Sequence, residues 1–278
     1  MTFFLLSFLI LVGIWAVFIE PNHIKVEKLF LEIKKLPPSF QSLKILHLSD
    51  FHFKKLGQKE KKVLEILNQL NPNFIFITGD IIDGRTKDFE SCYKFLEELS
   101  KNHEGKIFAV YGNHDYQNKN FNLLKNSLEK NKIKVLENES VILRRNGGFI
   151  YPVRESSISN GVYLIGVGDP HLGYDNIEKA TKGIESNAPK ILLAHSPEIF
   201  RKVKEKNIDL VLVGHTHGGQ VNIPLLRELT LPLKYDKKYK SGLFKEGSIY
   251  LYVNRGIGET LLPIRINAFP EITLIKLK

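Results

Sequence analysis

From residue 43 onward short apolar runs alternate with amphipathic stretches, and this alternation narrows the possible folds more than any other feature of the chain. Residues 43–48, 74–78 and 107–111 read as strands, and residues 61–70, 89–99 and 121–128 as helices. A β-α-β-α rhythm of this kind predicts a mainly parallel, buried sheet. The middle of the chain changes character. Residues 141–144 and 149–153 flank Asn146-Gly147-Gly148, a hairpin signal, and residues 162–167 add another strand. The rhythm then resumes with a helix at 176–184, a strand at 191–194, a helix at 197–204 and strands at 210–213, 248–253 and 272–277. The expected fold is α/β, with two packed sheets and helices outside them.

Polar residues gather where these strands end. Leu48-Ser49 leads into Asp50-Phe51-His52, Ile77-Thr78 into Gly79-Asp80, and Val110-Tyr111 into Gly112-Asn113-His114-Asp115. Residues 192–194 lead into His195, and Leu212-Val213 into Gly214-His215-Thr216-His217-Gly218-Gly219. In open α/β sheets the carboxyl ends of the strands form the ligand crevice. Asp50 and His52 are two apart, as are His215 and His217, so in extended chain each pair points the same way.

Asp50, His52, Asp80, Asn113, His195, His215 and His217 are too many ligands for one four-coordinate ion, whereas two ions sharing one carboxylate would use them all. Nitrogen and oxygen donors without sulfur suit Mn, Fe, Zn or Ni better than Ca. Two divalent ions against Asp50 and Asp80 leave a positive site that attracts a phosphate anion. Taken singly the pieces say little: an Asp-x-His is common by chance, and a lone histidine is more often a hydrogen-bonded structural residue. Together and in this order they make chance improbable.

The ordered set Asp50-x-His52, Gly79-Asp80, Gly112-Asn113-His114-Asp115, His195 and Gly214-His215-x-His217 resembles the calcineurin-like metallophosphoesterase signature, over roughly residues 43–278. The resemblance implies an α/β/β/α sandwich of two packed mixed sheets flanked by helices, with two divalent ions, Mn2+ favoured and Fe, Zn, Ni or Mg also suitable. It implies that Asp50, His52, Asp80 and His217 hold one metal, and that Asn113, His195 and His215 hold the second with Asp80 bridging. His114 would contact the phosphate and protonate the leaving oxygen, Asp115 would orient His114, and a hydroxide between the metals would attack phosphorus. Asp83 reads as a helix cap or an acceptor behind the ligands. His23, His47, His103 and His171 fall outside the motifs and read as structural or exposed, although Asp169-Pro170-His171 follows a strand and would line the pocket.

Residues 3–19 are apolar except for Ser7 and Gly13, long enough as a helix to reach roughly 26 Å, near the lower limit for a bilayer. No basic residue precedes the run, and Phe18-Ile19-Glu20 is a poor cleavage site, so an uncleaved anchor is expected over residues 1–19. Residues 20–42, broken by Pro37-Pro38, read as a linker and a lead-in strand, with the phosphoesterase domain over 43–278. Lys25, Lys28, Lys34 and Lys35 all lie downstream, which places the domain on the cytoplasmic side of the inner membrane.

The sequence carries 40 Lys+Arg against 30 Asp+Glu, a formal charge of +10, which favours anionic partners or simply a soluble lysine-rich surface. Cys92 is the only cysteine, which excludes an intramolecular disulfide and a multi-cysteine zinc site. Near the end, Tyr252-Val253-Asn254-Arg255-Gly256-Ile257-Gly258, Leu262-Pro263-Ile264-Arg265 and Pro270-Glu271-Ile272-Thr273-Leu274 are similar to a membrane-anchored bacterial phosphodiesterase branch of the family. That branch implies envelope or lipid substrates, including UDP-2,3-diacylglucosamine of lipid A synthesis. Glu259-Thr260-Leu261 departs from the small residues expected after the Arg-Gly turn. In 225–246, Leu225, Leu226, Leu229, Leu231 and Leu233 precede Lys234, Lys237, Lys238 and Lys240, with Tyr235 and Tyr239 between them. This segment reads either as a cap resting on the lipid surface or as an ordinary loop. The expected partners are a membrane lipid surface and a lipid-linked phosphoester. A nuclease or cyclic-nucleotide phosphodiesterase is the rival enzyme reading, disfavoured because no stacking platform for a nucleic acid is visible. An inactive membrane scaffold is the rival of another class, opposed by the presence of every ligand and of His114.

Overall fold

The computed structural model describes residues 2–145, 148–151, 161–184, 187–223, 231–234 and 237–278. One sheet has six strands: β1 (Lys25–Leu31), β2 (Lys44–Leu48), β3 (Phe74–Thr78), β4 (Ile107–Val110), β5 (Lys134–Val135) and β13 (Glu271–Leu277), in the order β1-β13-β2-β3-β4-β5. The other has seven: β6 (Glu139–Leu143), β7 (Phe149–Ile150), β8 (Val162–Gly166), β9 (Lys190–Leu193), β10 (Leu210–Val213), β11 (Gly242–Glu246) and β12 (Ile249–Val253), in the order β11-β12-β10-β9-β8-β6-β7. Both sheets are mixed. Strands β2, β3, β4 and β5 run parallel while β13 is antiparallel to β2, and β8, β9, β10 and β12 run parallel between antiparallel β6 and β11.

The period-two alternation of side chains sorts each strand between two cores. Phe74 and Phe76 of β3 face the second sheet and meet Ile191 and Leu193 of β9 and Leu210 and Leu212 of β10. Ile75 and Ile77 face outward onto α2 (Gln58–Leu70), α3 (Phe89–Ser100) and α5 (Phe121–Lys130), through Val63, Leu67, Phe95, Leu96 and Leu124. On the outer face of the second sheet, Leu192, Val211 and Leu251 pack on Ile177, Phe200 and Tyr239. Each such side chain contributes about 1.5–3 kcal/mol on full burial. The layers are thus helix, sheet, sheet, helix, with α4 (Asn113–Gln117) and α6 (Ile177–Ala180) as short additions.

Several expectations are revised. The helix expected over 176–184 is a single turn, Ile177–Ala180, and that over 197–204 is a 3-10 turn, Pro197–Lys202, begun by Ser196 accepting from the Glu198 amide. Lys25–Leu31 pairs along its whole length with β13, so the lead-in strand is an edge of the first sheet, and Phe40 behind it is buried between the sheets. Residues 242–246 form β11 rather than part of a cap. Leu231 and Leu233 are buried within the protein and cannot enter a bilayer, and Leu225, Leu226, Leu229 and Tyr235 lie outside the described residues. Strands β6 and β7 pair antiparallel as the hairpin reading requires, although Asn146-Gly147 and residues 152–153 lie outside the described residues.

The N-terminal segment is helical from Phe3 to Asn22, a stretch of 20 residues that is apolar enough to cross a membrane and mostly unburied. It begins as α1 (Thr2–Ile14), widens into a π-helical turn at Trp15–Ile19 and closes with a 3-10 turn at Glu20–Asn22. Among its described side chains Ala16, Glu20 and Pro21 are buried against the domain, while Phe3, Phe4 and Phe18 project outward.

Candidate metal centre

All five strand-end motifs meet on one rim, at the carboxyl ends of β2, β3, β4, β9 and β10. They converge by tight turns rather than by the extended chain expected from the spacing. Asp50, His52, Asp80, His215 and His217 all adopt positive φ, between 42° and 71°. Left-handed backbone at non-glycine residues costs on the order of 1–3 kcal/mol each and persists only where surrounding contacts over-determine it. Those contacts are present. The Asp50 amide donates to the Gly79 carbonyl at 3.0 Å, the His52 amide to the Asp80 carbonyl at 3.0 Å, and the Gly214 amide to the His195 carbonyl at 2.8 Å.

Two glycines make this approach possible. A Cβ on Gly112 would land on the Asp80 carboxylate, and one on Gly214 would land between Ser49 and Asp50. The glycine of each motif therefore brings one strand end against the next.

The side chains form two groups that share an edge. Asp50, His52 and His217 make the first: His52 Nε2 lies 3.0 Å from His217 Nε2, which lies 3.5 Å from Asp50 Oδ1. Asp80, His195 and His215 make the second: His195 Nε2 lies 3.1 Å from both Asp80 Oδ2 and His215 Nδ1. Asp80 Oδ2 is also 3.6 Å from His52 Nε2, so this carboxylate stands between the two groups. Asn113 begins α4 beside them, and its Oδ1 is buried without a hydrogen-bond partner.

The electrostatics call for positive charge. Burial would raise the Asp80 carboxyl, but the imidazoles of His195, His52 and His114 outweigh it and hold Asp80 well below the usual carboxylate range. Burial would lower His195, but the carboxylates of Asp80 and Asp50 hold it well above its ordinary value. His215 and His217 are kept neutral chiefly by burial, with cationic neighbours adding to the effect. The imidazole nitrogens, the carboxylate oxygens and an unpartnered amide oxygen form a donor set of nitrogen and oxygen that fits one or two divalent cations.

A second layer orients these donors. Ser49 and Asp50 pack against Gly214, and the His215 amide donates to both Asp50 oxygens at 3.1 and 3.0 Å. Asp83 Oδ2 stands 3.2 Å from His52 Nδ1, off line for a hydrogen bond but on the side of the ring away from the cluster. This is the place of a supporting carboxylate, and Asp83 also binds Arg85. Arg265, read in the sequence only as part of a motif, is fully buried, and burial pushes its guanidinium down to about 10. It donates to the carbonyls of Arg255, Gly256, Gly258 and Ala268, and its Nη2 approaches His217 Nδ1 at 3.4 Å. The Gly258 amide in turn donates to the Asp50 carbonyl at 2.7 Å, so Arg265 braces the loop that holds the first group. Glu259 is buried in an ion pair with Lys59, which accounts for an acid where a small residue was expected.

His114 stands at the open side of the cluster, its ring 5.0 Å from that of His52 and its amide donating to Asp80 Oδ1 at 2.9 Å. Burial lowers its imidazole below the ordinary value against the opposing pull of Asp80. The expectation that Asp115 orients His114 is corrected. Among the described residues the Asp115 oxygens accept from the amides of Gly112, at 2.9 Å, and Ile82, at 3.0 Å, and none of its hydrogen bonds reaches the His114 ring. Asp115 instead ties the β3 loop to the start of α4. Burial beside Asp80 pushes its carboxyl up to about 7.

Two residues outside the motifs join the site. His171 lies against His215 with ring centroids 4.8 Å apart, and Asp169 is fully buried with Oδ1 unpartnered. His171 is therefore no remote structural histidine, in line with the reading of Asp169-Pro170-His171 as lining the pocket. His47 and His103 are buried away from the cluster, with His47 Nε2 2.8 Å from Thr78 Oγ1, and His23 lies against the Phe269 ring.

The calcineurin-like phosphoesterase profile matches residues 43–219, more than half of the chain. The chain is 31% identical over 268 residues to the uncharacterized metallophosphoesterase YkuE of Bacillus subtilis, covering 95% of this chain and 89% of that one. It is 30% identical over 240 residues to the phosphodiesterase YaeI of Escherichia coli, covering 84% and 82%. It is 30% identical over 267 residues to a transmembrane protein with metallophosphoesterase domain of Danio rerio, covering 91% of this chain but 57% of the fish protein. With the layered fold and the clustered motif residues, these matches place the chain in the calcineurin-like phosphoesterase family, whose members are metal-dependent phosphohydrolases.

Proposed function

We propose that this protein hydrolyses a phosphodiester or pyrophosphate bond of a lipid-linked substrate at a membrane surface, using two divalent cations, with Mn2+ favoured. The observation that carries the reading is the pair of donor groups sharing Asp80, with His114 at their open side. Asp50, His52, Asp80 and His217 would hold one cation, and Asp80, Asn113, His195 and His215 the other. Such a pair supplies the charge that polarises a phosphoryl oxygen and acidifies water at neutral pH. Nε2 of His195 and Nε2 of His52 both face the cluster, Asn113 would offer its carbonyl oxygen, and Asp80 would serve both cations. His114 faces a bound phosphoryl group and gives its proton to the leaving oxygen.

The name of the Escherichia coli relative supports a diester substrate, and that of the fish relative supports a membrane setting. The exposed apolar helix supports anchoring, and the downstream lysines support a domain facing the cytoplasm from the inner membrane. UDP-2,3-diacylglucosamine and phospholipids are the substrates to try first.

The test uses the full chain in lipid nanodiscs, stripped of metal and resupplied with Mn2+, Mg2+ or Zn2+. Metal-dependent hydrolysis of bis-p-nitrophenyl phosphate, lost in Asp80→Ala and in His114→Ala, is the expected result. Stoichiometric metal binding without turnover of this diester or of the lipid substrates would sink the hydrolase reading in favour of a scaffold. Turnover of soluble diesters or nucleotides with none of lipids would sink only the lipid assignment.

A further inference from the structure

The N-terminal helix is joined to the loops of the metal site, not merely tethered ahead of them. The Arg265 amide donates to the Ala16 carbonyl at 2.9 Å, and the Ala268 amide donates to Glu20 Oε1 at 2.6 Å. Trp15 Nε1 donates to the other Glu20 oxygen at 3.0 Å, and the Trp15 ring meets Phe269 edge-on at 6.4 Å. The Ala16 carbonyl lies within the π-helical turn at Trp15–Ile19. Arg265 is also the residue whose side chain braces the Asp50 loop and approaches His217.

This junction has a geometric consequence. Ala16 is six residues before Asn22, the end of the apolar helix, or about 9 Å along the axis. A twenty-residue helix is about 30 Å long, just the thickness of the hydrocarbon core. Seating it in a bilayer therefore draws whatever is bonded to Ala16 to the level of the headgroup layer or below it. Next to Arg265 in the chain stand Leu261, 90% exposed, Leu262, 61% exposed, and exposed Pro263. Chain length alone keeps Leu261 within about 14 Å of Arg265. Four carbonyls of this loop are already paired, which lowers the cost of leaving water: Gln220 Nε2 donates to those of Thr260 and Leu262 at 3.0 Å, and Arg85 donates to those of Glu259 and Leu261. Lys25, three residues beyond the helix and 3.9 Å above the Phe269 ring, offers positive charge that favours anionic lipid.

We infer that the loop bearing Leu261, Leu262 and Pro263 inserts into the headgroup layer of the bilayer that holds the helix, so that the metal cleft opens onto the lipid surface. The partner is the membrane itself. The inference rests on the anchor reading of the helix and not on the hydrolytic one.

The test is the depth of a label. Cys92 is buried, and burial pushes its thiol up to about 12, so a cysteine introduced at the surface takes an environment-sensitive dye selectively. Leu261→Cys and Leu262→Cys report on the loop. Ser248→Cys, at the amino end of β12 and so on the rim opposite the metal cleft, serves as reference. Full-length labelled chains are placed in vesicles of phosphatidylcholine and phosphatidylglycerol, and quenching by aqueous iodide is compared with quenching by doxyl-labelled lipid. The expected result is several-fold weaker iodide quenching and strong lipid quenching at 261 and 262, with the reverse at 248. Iodide quenching at 261 and 262 equal to that at 248 overturns the inference. Shielding from both quenchers overturns it too, since protein, such as a second copy, would then cover the loop. A chain that fails to float with vesicles overturns the anchor reading and this inference together. Hydrolysis is measured on unlabelled chain, so its failure leaves the depth result standing.

Discussion

His195 hydrogen-bonds through Nδ1 to the carbonyl oxygen of Thr78 at 2.7 Å, across 117 residues of sequence. A carbonyl only accepts, so Nδ1 carries a proton and Nε2 is the nitrogen turned toward Asp80. The ring is thereby set for its task by the last residue of the neighbouring sheet's β3. At His52 the corresponding outer position is taken by Asp83, whose Oδ2 lies 3.2 Å from Nδ1 without a hydrogen bond.

Asp83→Asn removes the charge behind His52 but keeps an acceptor of the same shape. Metal affinity should fall by about 10–100-fold with the fold intact, the usual effect of losing a carboxylate behind a ligating histidine. Titration calorimetry with Mn2+ against metal-stripped chain measures it. An unchanged affinity would mean that Asp83 serves only Arg85 and Thr86.

Arg265→Met leaves several carbonyls without a donor in a site that is fully buried. The loss should be about 3 kcal/mol or more, or at least about 6 °C at roughly 2–4 °C per kcal/mol in a chain of this size. Arg265→Lys should recover only part of it, because an ammonium lacks the planar fork that reaches both Ala268 and Gly258. Differential scanning calorimetry of the two variants decides, and equal melting temperatures for Met and Arg would remove Arg265 from the bracing role.

His47 is buried, and burial holds its imidazole down to about 3. Its folded value is below its unfolded one, so the unfolded chain takes up a proton that the folded chain refuses. Stability is therefore fully present above about pH 6.5 and drains away as the pH falls toward 3, at about 1.4 kcal/mol per pH unit. His47→Gln should flatten the stability curve by this single-proton slope between pH 6 and about 4. Urea unfolding of both chains over that window, with chelator present throughout, tests it, and parallel curves would show that His47 is protonated in the fold.

Much of the site was legible in the sequence because its motifs sit where apolar runs stop, and a strand end is a local event. Asp50, His52, Asp80, Asn113, His195, His215 and His217 do come to one rim. The manner of their meeting was not legible. The spacing of Asp50 and His52 suggests extended chain, whereas both residues turn left-handed, held by amides donating to Gly79 and Asp80. The orienting role of Asp115 came from the resemblance alone, whereas its carboxylate accepts from the amides of Gly112 and Ile82, contacts that only the assembled loop brings together. Strand β11 escaped notice because the residue types of Gly242–Glu246 do not alternate between apolar and polar, and its order comes from pairing with β12.

By itself the sequence determined the layered α/β class, the order of the metal-binding motifs and the apolar N-terminal helix. Each of these follows from residue type and short-range period, which the chain carries wherever it folds. Only the tertiary structure decided that Arg265 lies in a cage of carbonyls beside His217, that the His171 ring lies against that of His215, and that Ala16 and Glu20 bind the loop of the candidate metal site. Those relationships join residues up to 249 positions apart, as with Arg265 and Ala16. They exist because burial makes each unpaired amide, carbonyl and charge seek its partner across the assembled core.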